Sequence, residues 1–187
     1  MKFPFSHIIR VGCYLGLGYF VWLMWLITLQ YVPIRLDVAF LQLKEDAISQ
    51  VHYQVAFFSH VYTSIFVLML GITQFSGELR RRLPELHRGL GKGYVLLILS
   101  VASPSGLVMA WYANGGLSSQ VSFSLQAILW FAFTWIALQR AKQRDWRGHH
   151  HFMLRSYALT LSAVSLRLFK WIIVSTLAWP PMDTYRL

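Results

Sequence analysis

No aspartate or glutamate falls inside any long apolar run of this chain; all seven acids lie in short connecting segments or tails. Proton-coupled pumps and transporters commonly work through carboxylates at membrane depth, so their absence argues against that class. Cysteine is almost missing as well. The single Cys13 excludes an intrachain disulfide and sits in an apolar run as a small packing residue. Charged residues make up only 13% of the sequence against 56% hydrophobic, which is too apolar for an ordinary soluble domain and points to the membrane class. No internal repeat, low-complexity tract or second domain interrupts the 187 residues. No nucleophile–base pair or hydrolytic motif stands out. "GLGKGY" lacks both the spacing and the preceding strand of a dinucleotide-binding loop.

What is present is a series of apolar stretches of bilayer length. Five suit spanning helices, at roughly 8–32, 51–75, 86–112, 121–138 and 153–177. The first exceeds a signal-peptide core and lacks a small-x-small cleavage site, so it reads as an uncleaved first span. Between spans one and two, Leu36, Phe40 and Leu43 recur at helical spacing and predict a short surface helix at about 36–48. Gly115 and Gly116 predict a tight turn before the fourth span, and Pro84 with Glu85 suits the first turn of the third. Gly12/Gly16 and Gly89/Gly93 form small-x-x-x-small pairs that predict close packing of spans one and three. The expected architecture is all-α: a polytopic single domain with spans two to five forming a bundle and span one beside it.

The net charge of +10 comes from basic residues in short loops, not from a nucleic-acid surface. With the N-terminus in the cytoplasm, twelve Lys and Arg fall on that side and three on the other. The positive-inside rule then places the C-terminus outside.

Two polar levels follow from this topology. The inner level holds His7, His87 and the trio His149, His150 and His151, flanked by Arg88 and Arg155. Imidazoles from different helices at one depth are what axial haem ligation requires. Successive helical residues point about 100° apart, so at most two of the trio face the bundle. The competing reading makes all of them interfacial histidines near lipid headgroups. With no cysteine pairs or intramembrane carboxylates, a closed zinc site is not expected.

The outer level holds His60, about 13 Å below Val51, and Arg167, about 21 Å above Met153, at ~1.5 Å rise per residue. Arg167 at membrane depth needs a loop acid, backbone carbonyls, water or an anionic ligand, unless it snorkels to the surface as Lys170 is expected to do. Nearby, "SPSG" puts Pro104 in the third span, where it removes a backbone donor and favours a kink. His60, Ser103, Ser105, Ser165 and Arg167 are therefore candidates to line one outer pocket; a bent helix with no ligand is the simpler alternative.

"LRRRLPELHRGLGKGY", "SPSGLVMA", the Gly-Gly turn and "HHHFMLRSYALTLSAVSLRL" occur in an order that resembles a family of predicted bacterial membrane proteins, domain of unknown function 2306. The likeness covers about residues 50–172. The family's last motif aligns its histidine with His149, while Phe152 stands where the family has tryptophan. His87, Arg88, Arg155, Arg167 and His60 fall on its other polar positions. The resemblance implies a membrane fold in the bacterial plasma membrane and no particular reaction.

The residues themselves carry the functional expectation. The first is a redox-type membrane protein binding b-type haem or quinone, with His87 and His149 as the inner ligand candidates and His60 with Arg167 as an outer site. The second is a non-enzymatic accessory or assembly subunit of a larger membrane complex. The third is a carrier of a small anion or lipid headgroup, with Arg167 as counter-charge.

Overall fold

The computed structural model describes residues 5–177, the side chains of residues 5–10, 13, 39, 43, 45 and 177 excepted. Among the described residues there are helices and turns but no strand. In chain order these are α1 (Phe5–Leu29), a 3-10 turn (Ala39–Leu43), α2 (Glu45–Ile48), α3 (Val51–Gln74), α4 (Gly77–Arg82), α5 (Pro84–Leu97), a π turn (Ile98–Ala102), α6 (Ser103–Trp111), α7 (Gly116–Lys142) and α8 (Trp146–Leu177). The third span is thus one rod, α5 and α6 joined through a single π turn that precedes Pro104. Among the described residues, four helical rods are long and apolar enough to cross a bilayer: α3, the α5–α6 rod, α7 and α8. The apolar part described for α1 is Tyr14–Leu29.

The four rods form the expected bundle, with α3 against both halves of the α5–α6 rod, α7 against α6 and α8, and α8 closing back on α3. Its core is Tyr94, Ile98, Trp130, Met153, Tyr157 and Val164, with Ile65, Val67 and Leu68 from α3. α1 packs on α3. The glycine pairs do not bring spans one and three together: a Cβ at Gly12, Gly16 or Gly89 would meet nothing within 4 Å. The closest approach is instead at Gly71, where an added Cβ would lie 2.2 Å from the Tyr157 ring of α8.

Local chemistry sets the helix ends. Pro84 opens α5 as expected, and Ser76 caps α4 by accepting from the Leu79 amide at 3.1 Å. Gly115 and Gly116 take φ of 98° and 73°, the left-handed backbone that makes their turn a glycine position. α8 starts seven residues earlier than 153. Asp145 Oδ1 accepts from the Gly148 amide at 3.0 Å and caps it, so the histidine trio lies in its first turns, not ahead of them.

The segment expected as a surface helix at about 36–48 is folded differently. Its 3-10 turn and α2 pack against the end of the bundle, where Tyr31, Leu41, Ala47, Tyr53, Phe57 and Phe58 make a second small core. Lys44 is drawn into it. Its ammonium donates to the Tyr112 carbonyl and, at 2.5 Å, to Asn114 Oδ1, and lies 5.7 Å from the centre of the Phe40 ring. Burial pushes the Lys44 ammonium below its ordinary pKa.

Candidate functional site

The bundle has a basic end, carrying Arg80, Arg88 and Arg140, and a far end closed by the segment around Lys44. At the basic end the structure selects one histidine of the trio. His149 is half-buried and its Nδ1 lies 2.9 Å from the Ala137 carbonyl of α7. A carbonyl only accepts, so Nδ1 carries the proton and Nε2 keeps the lone pair. His150 and His151 are exposed, their rings 6.3 Å apart and edge to face.

His87, on α5, lies within electrostatic reach of His149. Its Nδ1 is buried and has no hydrogen-bond partner among the described residues. His7 has its side chain outside the described residues. The two flanking arginines behave differently. Arg155 lies over the Phe152 ring at 4.9 Å and near Phe133 at 5.9 Å, so the phenylalanine in the tryptophan position still serves as a cation platform. Arg88 is exposed and enters no ion pair among the described residues.

Toward the far end, His60 of α3 packs on the α5–α6 rod just past the π turn. Its Nδ1 lies 2.8 Å from the Ala102 carbonyl and 3.3 Å from Ser105 Oγ. The carbonyl again fixes the proton on Nδ1 and leaves Nε2 as an acceptor. Gly106 makes this possible, because a Cβ there would sit 3.0 Å from His60 Cε1. The Trp130 ring covers the imidazole at 6.5 Å in an edge-to-face arrangement.

Arg167 is within electrostatic reach of His60, as depth alone suggested. It follows Met153, Ser156, Thr160 and Val164 at helical spacing along α8, but where those four are buried Arg167 is exposed. Its Nη1 donates to the Ala163 carbonyl at 3.0 Å, so backbone oxygen supplies part of its solvation.

The five-residue outer pocket divides. His60 and Ser105 are together. Ser103 is buried and donates to the Ala127 carbonyl at 2.8 Å, tying α6 to α7. Ser165 turns away into a groove between α7 and α8.

Between the two levels lies a buried network that the sequence reading missed. Tyr94 Oη is 3.0 Å from Ser156 Oγ and 3.1 Å from Thr160 Oγ1, and Ser156 Oγ is 2.7 Å from Thr134 Oγ1. Thr134 also donates to the Trp130 carbonyl at 2.7 Å. These hydroxyls join α5, α7 and α8 by side-chain bonds in a water-poor core. The available signal was Ser156 and Thr160 at i and i+4, which share a helix face.

Together these features make two imidazole sites at opposite levels, each with a defined Nδ1–H tautomer, separated by a neutral hydroxyl core. Among the described residues no three His, Cys, Asp or Glu side chains cluster as metal ligands. No curated protein and no solved structure matches the chain. A family model does match, over residues 57–186, which covers the four bundle rods with the inner pair, His60 and Arg167. The chain belongs to that family of predicted membrane proteins, DUF2306, and is a multi-pass, all-α protein of the lipid bilayer.

Proposed function

We propose that this protein is a membrane redox protein of the bacterial plasma membrane, holding a b-type haem between His87 and His149. In this reading the N-terminus and the basic end face the cytoplasm, which the distribution of Lys and Arg supports. One observation carries the haem assignment. His149 donates its Nδ1 proton to a backbone carbonyl, as metal-bound histidines commonly do, near a second imidazole whose buried Nδ1 has no partner among the described residues.

The donor set fits the group. Two neutral imidazoles on separate helices suffice for an axial pair, and Arg88 and Arg155 stand near that level to meet carboxylates. Bound there, the haem supplies reversible one-electron chemistry. The chain's own part is to fix the His149 ring against Ala137, to shield the Nδ1 edge of the partly buried His87, and to keep the adjoining core neutral through Tyr94, Ser156 and Thr134.

The test is the absorption spectrum of the detergent-purified protein from haem-replete cells, oxidised and dithionite-reduced. A reduced-minus-oxidised haem signal is expected, abolished by His87→Ala and by His149→Ala and kept by His150→Ala. A colourless preparation, or a signal that survives both substitutions, overturns the assignment.

A second reading rests on His60. Its Nε2 has no hydrogen bond among the described residues, and Arg167 is its electrostatic neighbour. An acceptor beside a cation suits a quinone-class headgroup at the far end. Quinone in a solvent extract of the purified protein, lost with His60→Leu, supports it.

A further inference from the structure

The groove that receives Ser165 is a cavity of about 460 Å³ between α7 and α8, within the range of about 300–1,000 Å³ typical of ligand pockets. It starts near the far end of α7 and reaches Gln126, ten residues into that helix and so about 15 Å along it. Its lining carries no charged residue. The apolar part of the lining is Phe123 from α7 with Leu166 and Phe169 from α8.

The rest of the lining is polar, and its hydrogen bonds show what it offers. Ser118 and Ser122 donate to the Gly115 and Ser118 carbonyls of their own helix, at 3.3 and 2.7 Å. Ser162 and Ser165 donate to the Leu159 and Leu161 carbonyls, at 2.6 and 3.3 Å. With these protons committed to backbone, each hydroxyl presents lone pairs to the groove. Gln126 spends its amide on Ser162 at 2.6 Å, and its carbonyl oxygen has no hydrogen bond among the described residues. Ser119, the fifth serine of the lining, makes no side-chain hydrogen bond among the described residues, so one hydroxyl is left to donate beside what is otherwise a set of acceptors.

Lipid tails cannot donate to such a set, and an isolated amide oxygen facing hydrocarbon is unfavourable. A phosphate or carboxylate would meet lone pairs with its own oxygens. We infer that this groove binds an uncharged amphiphile whose head donates hydroxyl hydrogen bonds, its apolar part lying along Phe123, Leu166 and Phe169. A diacylglycerol-type lipid and a quinol share that chemistry.

The site is separate from His87 and His149, so a colourless preparation leaves it standing. Purified protein is loaded with dioleoylglycerol, decylubiquinol or dioleoyl phosphatidate, and retention is read by native mass spectrometry. At least one neutral probe should be retained in preference to phosphatidate; which one identifies the source as membrane lipid or redox carrier. Ser122→Ala and Ser165→Ala each remove one acceptor at an exposed helix position. Each should weaken retention about fivefold, the effect of one ordinary hydrogen bond of about 1 kcal/mol. Thermal unfolding of the two variants should match that of the parent. Equal retention of phosphatidate, no retention of either neutral probe, or retention unchanged in both variants overturns the inference.

Discussion

Replacing Gly71 by alanine tests the packing that holds the bundle together. The new methyl carbon would stand 2.2 and 2.4 Å from Tyr157 Cε2 and Cδ2, and 3.0 Å from Tyr94 Cε2. Real contacts need more than 3 Å, so a ring or a helix has to move. Neither ring is free to do so. Tyr157 is buried, its hydroxyl donates to the Leu68 carbonyl at 3.4 Å, and Phe75 packs on its ring at 5.0 Å. Tyr94 is held at its hydroxyl by Ser156 and Thr160.

Overpacking of this kind costs about 1–3 kcal/mol, and loss of the Tyr157 hydrogen bond adds about 1 kcal/mol. The helix gains about 1 kcal/mol from alanine over glycine. The net expectation is a destabilisation of about 1–3 kcal/mol. Thermal unfolding in mild detergent measures it against Gly89→Ala, where the methyl meets open space and only the helix-propensity gain remains. Adding Tyr157→Leu to Gly71→Ala should recover part of the loss, a coupling expected only of residues in contact. If Gly71→Ala is as stable as Gly89→Ala, or if the pair is additive, the close approach of α3 and α8 is wrong.

Two more predictions concern His60 and Lys44. Gly106→Ala pushes a methyl to 3.0 Å from His60 Cε1 and 3.3 Å from Nδ1, so it should weaken any ligand held by His60 about as much as His60→Leu while leaving a haem spectrum intact; quinone content and optical spectra of both variants check this. For Lys44, burial lowers the folded-state pKa below its ordinary value of 10.5, so across the interval between them the unfolded chain binds more protons. Stability of the parent should therefore rise as pH climbs toward 10.5, and Lys44→Met, which cannot titrate, should remove that rise; parallel pH-dependent slopes in thermal unfolding would contradict the burial.

Much of this architecture is legible in the sequence because each signal is local. Uninterrupted apolar runs give the rods, Pro84 gives a helix start, and the Gly115–Gly116 pair gives its turn. Depth along two antiparallel helices also suffices to bring Arg167 near His60. The features that escaped depend on partners distant in the chain. Lys44 finds its acceptors 68 and 70 residues away, so amphipathic spacing around Leu36, Phe40 and Leu43 suggested a surface helix where the chain docks. Gly71 carries no small-residue motif, and its importance comes from Tyr157 on another helix. Ser156 and Thr160 resemble any polar residues in an apolar helix until Tyr94 and Thr134 supply their partners. Asp145 was within reach, since an acid three residues ahead of Gly148 is an ordinary helix cap.

α8 carries His149, the hydroxyl pair Ser156 and Thr160, and Arg167 along one side of a single continuous helix. An unbroken helix turns as a shaft. Any rotation that moved Arg167 relative to His60 would, at the same moment, lift His149 off the Ala137 carbonyl and shear Ser156 from Thr134. The two levels of the protein therefore share one mechanical degree of freedom. A ligand that turned α8 at one end would therefore displace its side chains at the other without any charge having to cross the bilayer.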